Sequence, residues 1–187
     1  MDQEGISKKS LLVSETLPDQ FLFDLGAYLQ TCAHIEIAAC DLVCAVEGCR
    51  PQSAEWRDRF HKLRKVKTSD LLPILRRCSE RLPDPLPSQF RDLVDWIQQY
   101  STNRHIAVHG AFFNSEETGK LRVLYTHKKN NGGTFEYFPE ETKIDRELVI
   151  GILDDADRIL RILTGLVIAI DNGDIELRKG EVSGDME

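Results

Sequence analysis

The stretch Asn103-Arg104-His105-Ile106-Ala107-Val108-His109-Gly110 gathers one carboxamide, one guanidinium and two imidazoles within eight residues. An arginine holds anions and stabilises negative charge developing on a phosphoryl group. Imidazoles move protons near neutral pH. On a helix, successive residues turn by about 100°. His105 and His109 then share one face with Gln98 and Thr102. Arg104 falls two turns beyond Ile97 and fourteen residues beyond Phe90, on the apolar stripe itself. An arginine there is costly unless it is paired or opens into a site. A helix C-terminus favours protonated His109 and Arg104 opposes it. The two influences together would poise a proton-transfer group near neutral pH. The plainer alternative is a surface arginine and a C-capping histidine.

His105 and His109 also stand at the spacing of metal ligands on a helix. The zinc-hydrolase pattern HExxH carries a glutamate where this chain has Ile106, so no metal site is expected. No GxxxxGK[ST] or GxGxxG loop is present, and no cofactor is expected. His34, His61 and His127 are isolated. Glu36, beside Ile35 and Ala39, either reaches Arg104 across the bundle in a two-pronged contact or faces water. The one basic run, Arg57 to Lys67, either steers a nucleic-acid backbone toward the site or is a solvated helix face.

Arg104, four intervening residues, His109 and then Gly110 resemble the R-x4-H signature of the HEPN superfamily, often RNxxxHG at a helix end. Here His105 stands where asparagine is frequent. The order of elements, across roughly residues 17–172, is similar to the HEPN bundle. The resemblance implies a homodimer whose motif helices meet across a two-fold axis. It implies a metal-independent endoribonuclease of the toxin or defence kind, with an antitoxin partner, in which an RNA 2′-OH attacks the neighbouring phosphate. His109 would be general acid or base, Arg104 would stabilise the transition state, His105 would assist, and Asn103 and Glu36 would be auxiliary. The alternative within the same resemblance is a non-catalytic module binding RNA, a nucleotide or a protein partner.

The elements that must position these residues read as mainly α-helical. A helix is expected from Pro18, in its first turn, through Val46, ended by Gly48 and Pro51. Ser53 caps a helix through Leu63, and Thr68 or Ser69 caps one through Cys78. After Pro83, Pro85 and Pro87, Ser88 opens the motif helix to His109, with Gly110 as C′ residue. The period then changes. Lys120–Thr126 and Gly133–Phe138 read as strands of a hairpin within about residues 120–139, turning through Lys128 to Gly133. A last helix, about Asp145 to Ile170, is apolar over so wide an arc that it is central to the bundle or also covers a partner. Residues 1–16 read as a flexible arm, 17–172 as one helical domain and 173–187 as a charged, loose tail.

Composition bounds the rest. The 187 residues are 41% hydrophobic and 29% charged, which is ordinary for a folded domain. A net charge of −7 argues against broad coating of nucleic acid while leaving room for a local basic site. Five cysteines with no CxxC pair read as small buried hydrophobes. The acidic start Met1-Asp2-Gln3-Glu4 has no signal-like apolar stretch, and the best candidate span, Leu148 to Ile170, is broken by five charges. The expectation is a cytoplasmic protein without membrane contact.

Overall fold

A computed structural model describes residues 13–131 and 134–178, with the backbone alone described at 14, 15, 127–131 and 134–138. The fold is mainly helical, with a small antiparallel sheet before the final long helix. A short helix α1 (Val13–Thr16) precedes α2 (Asp19–Glu47), α3 (Ala54–Leu63), α4 (Thr68–Cys78) and the motif helix α5 (Leu86–His109). Strands β1 (Ala111–Asn114), β2 (Lys120–Asn131) and β3 (Thr134–Asp145) follow, and α6 (Arg146–Asp171) closes the fold. Gly132, Gly133, residues 1–12 of the expected arm and residues 179–187 of the expected tail lie outside the described residues.

α2 is the mast of the structure. Its 29 residues span about 43 Å, and it ends where Gly48 takes φ 85° and donates to Ala45 O. By length and composition it is apolar enough to cross a membrane, which makes it a stronger candidate span than the α6 sequence; just over half of that apolar window is buried inside the fold. Tyr28, Cys32, Ile35, Ala39, Leu42, Val43 and Val46 join Leu63, Leu71, Leu75, Leu93, Val94, Ile97 and Tyr100 in the main core. α6 packs chiefly along α2. It buries Ala156, Ile159 and Leu163, while Leu148, Ile150, Ile162 and Ile168 remain exposed. Past its end, Ile175 and Leu177 pack against the core, and Arg178 donates from its backbone N–H to Arg81 O at 2.7 Å.

The caps explain where the expected boundaries hold and where they move. The Ser53 hydroxyl accepts from Trp56 N–H, and the Asp145 carboxylate accepts from Leu148 N–H. α4 starts at Thr68, so the N-cap position falls to Lys67, whose ammonium cannot accept a hydrogen bond, and the Thr68 hydroxyl donates to Glu36 instead. α5 starts at Leu86, two residues before Ser88, since Pro87 fits the first turn, where its missing N–H costs nothing.

The sheet is larger than the expected hairpin. β2 and β3 pair over twelve residues each, so Lys128–Asn131 continue the ladder rather than turn. β1 pairs with β2 from Ala111↔Leu124 to Asn114↔Leu121. Pro139 sits in β3, an edge strand, where a missing donor is tolerated. The Phe21 and Phe112 rings, 5.0 Å apart, anchor the sheet to α2 in a second, smaller cluster with Leu17 and Leu121.

Candidate functional site

The motif residues occupy the last two turns of α5, beyond the core positions Val94, Ile97 and Tyr100. Over the fourteen residues from Phe90 to Arg104 the apolar stripe drifts by about 40° around the helix. Arg104 therefore emerges at the rim of the core, its side chain 43% exposed. Its partner is Glu36, midway along α2: Nη1 lies 3.4 Å from Oε1. Of the two readings of Glu36, the one that reaches Arg104 across the bundle holds, through a single contact rather than a two-pronged one. The closest hydrogen bond to Glu36 comes from the Thr68 hydroxyl, at 2.9 Å to the same oxygen. Arg64, the C-cap of α3, approaches the other oxygen at 3.8 Å. One carboxylate of α2 thus gathers two guanidiniums and a hydroxyl from three other helical segments.

Below Arg104, one turn back, Tyr100 donates its hydroxyl to Ile152 O of α6 at 2.9 Å and packs edge-on against Tyr28 at 5.2 Å. Burial keeps both phenols protonated far above their ordinary range. Burial likewise raises the nearby Cys32 thiol, and the neighbouring Arg104 charge pulls it part of the way back. A hollow of about 30 Å³, the share of one water, is lined by Cys32, Glu36, Thr68, Tyr100 and Arg104.

His105 and His109 are exposed on the adjacent face, their ring centroids 4.8 Å apart with planes tilted by 50°. His109 lies five positions after Arg104, which places them about 140° apart around the helix. One chain therefore pairs Arg104 with Glu36 and His105 with His109, and turns the arginine and the last histidine to different sides. Asn103 lies elsewhere again, on a cavity of about 400 Å³ between α2, the sheet and α6, lined also by Asp24, Tyr28 and Ile106. Among the described residues, no group of three or more His, Cys, Asp or Glu side chains is placed to hold a metal ion.

Gly110 ends the motif helix in extended backbone, φ −74° and ψ 141°, not in the left-handed C′ conformation expected. Its glycine has a different cause. A Cβ there would meet Ile106 O at 2.5 Å and Val123 Cγ2 at 2.6 Å, so the lack of a side chain lets β2 close against the helix end.

The basic run divides. Arg59 binds Glu47 through two hydrogen bonds, 2.7 and 2.6 Å, and ties α3 to α2. Arg64, Lys65 and Lys67 are exposed on the α3–α4 connection, and Arg64 reaches the Glu36 side of the motif. Arg64 and Thr68 were not singled out as site residues from sequence. Their spacing from Glu36, 28 and 32 residues, carries no local signal, and only the packing of α3 and α4 on α2 brings them there. Comparisons of this chain with protein-family models, with curated proteins and with solved structures found no match.

Proposed function

We propose that this chain is a HEPN-like, metal-independent endoribonuclease that acts as a homodimer, in a cytoplasmic toxin or defence setting with an antitoxin partner. The observation that carries the reading is the motif's arrangement at the open end of α5. Arg104 is half-exposed and steered by Glu36, while two histidines lie side by side on the next exposed face. Because Arg104 and His109 of one chain diverge, a second chain is needed to set a histidine opposite each arginine. In that arrangement one imidazole takes the proton from an RNA 2′-OH as its oxygen bonds to phosphorus. The P–O5′ bond breaks and a protonated imidazole delivers a proton to the departing 5′ oxygen, leaving a 2′,3′-cyclic phosphate and a 5′-hydroxyl. Arg104 holds the charge that builds on the equatorial oxygens.

The test is cleavage of end-labelled single-stranded RNA and DNA in EDTA by the wild type, His109→Ala and Arg104→Ala. RNA cut by the wild type alone, with DNA intact, supports the reading; cleavage that persists in both variants sinks it. A second reading, a non-catalytic module that binds RNA, a nucleotide or a protein through the same surface, is favoured by one feature. The Glu36 carboxylate already occupies part of the guanidinium that a phosphate would need. RNA binding without cleavage by any of the three proteins would select it.

A further inference from the structure

We infer that Arg64, with Lys65 and Lys67, forms a second phosphate-binding subsite that extends the Arg104 site into a short track for the backbone of single-stranded RNA. The inference rests on the ribonucleic-acid reading of the Arg104 site and names the residues that would hold the strand beside it.

Three observations carry it. Arg64 and Arg104 approach opposite oxygens of the Glu36 carboxylate, at 3.8 and 3.4 Å, so their guanidiniums are neighbours although they come from different helices. Two positive groups share one negative group, which leaves a charge in excess. Both are loose, partly exposed contacts, with side-chain exposures of 37% and 43%, free to turn outward to a phosphate. The tight hydrogen bond on Glu36 comes from the uncharged Thr68 hydroxyl, so the carboxylate stays satisfied when either arginine leaves it. Arg59, in the same basic run, is committed to Glu47 by two short bonds and takes no part. Lys65 and Lys67 follow Arg64 along the chain and are exposed. A chain of net charge −7 that nonetheless concentrates cations here has a local track rather than a basic surface.

The experiment measures binding of a short fluorescein-labelled single-stranded RNA, 2′-O-methylated throughout so that it cannot be cut, by anisotropy between about 50 and 200 mM salt. Arg64→Gln is expected to weaken binding and to lower the slope of log affinity against log salt by roughly 0.7, the share of one phosphate that is no longer neutralised. Lys65→Gln with Lys67→Gln lowers it further, and Arg64→Lys restores it. Arg91→Gln removes the same charge from an exposed site about 20 Å back along α5 and leaves the slope unchanged. A wild-type slope in Arg64→Gln, an equal drop in Arg91→Gln, or no RNA binding by the wild type overturns the track. The cleavage assay separates the two ideas. Arg64-dependent binding without cleavage keeps the track and removes the nuclease; cleavage with an Arg64-independent slope does the reverse.

Discussion

Arg104 and Glu36 are joined by a single 3.4 Å contact between α5 and α2, and the same Glu36 oxygen accepts a 2.9 Å hydrogen bond from Thr68. Glu36 is therefore an orienting group before it is a stabilising one. A partly exposed pair of this kind contributes about 0.2–1 kcal/mol. Glu36→Gln keeps an acceptor for Thr68 and removes the charge, so the unfolding midpoint should move little. On the nuclease reading, RNA should bind more tightly, because a competing carboxylate is gone, while cleavage slows because Arg104 is no longer steered. Single-turnover cleavage beside anisotropy measures both; faster cleavage in Glu36→Gln would show that the contact restrains Arg104 rather than aims it.

Gly110→Ala forces a methyl group against Ile106 O and the Val123 side chain. Overpacking of this sort costs about 1–3 kcal/mol. In a domain of this size the melting temperature should fall by about 2–4 °C for each kcal/mol. Adding Val123→Ala opens space on one side only, so the double variant should recover less than the whole deficit. A thermal melt of the three proteins checks this, and an unchanged melting temperature in Gly110→Ala would mean that the helix end and β2 do not meet as described.

All five cysteines are free and buried. Burial pushes the Cys40 thiol up to about 11 and the Cys44 and Cys78 thiols up to about 12. At pH 8 the folded protein should resist a thiol-specific reagent such as dithionitrobenzoate, and all five should react once it is unfolded. The pH dependence follows. A thiol near its ordinary 9.0 in the unfolded chain loses its proton before the folded chain does. Stability is thus complete below pH 9 and declines as pH rises through the folded values. Urea unfolding at pH 8 and pH 10 measures the decline; higher stability at pH 10 would contradict it.

Tyr100→Phe deletes the hydroxyl that bonds Ile152 O and links the motif helix to α6. The destabilisation should be about 1 kcal/mol. Because Tyr100 lies one turn before Arg104, a larger effect on RNA cleavage than on stability would show that α6 helps to aim the motif. Chemical denaturation and cleavage rates together check it.

The helices were legible because their apolar positions recur at three and four, and because Ser53 and Asp145 are caps that work as their types suggest. The starts of α4 and α5 were displaced where Thr68 became the first helical residue, its hydroxyl donating to Glu36, and where Pro87 was acceptable inside the first turn. β1 was not legible: four residues, Ala-Phe-Phe-Asn, are too few to show a period. Lys128-Lys129-Asn130-Asn131 have turn composition, yet they lie in the ladder, since cross-strand hydrogen bonding outweighs composition. Within the site, the His105–His109 pair follows from a spacing of four along one helix. The Glu36 contacts with Arg64 and Thr68 cross between helices and depend on how α3 and α4 sit against α2.

The sheet hangs on α2 through the small cluster of Leu17, Phe21 and Leu121, whereas the rest of α2 belongs to the much larger main core. The two are unequal in the apolar surface they hide, so they need not let go together. The first turns of α2 can release the sheet while the bundle from Tyr28 onward stays closed. Amide protons in β1 and the start of β2 should then exchange with solvent through a shallower opening than those around Leu42 and Val43. The end of α5 touches the part that opens first, through Gly110 and Val123, so the motif sits at the hinge between a durable half of the molecule and a yielding one.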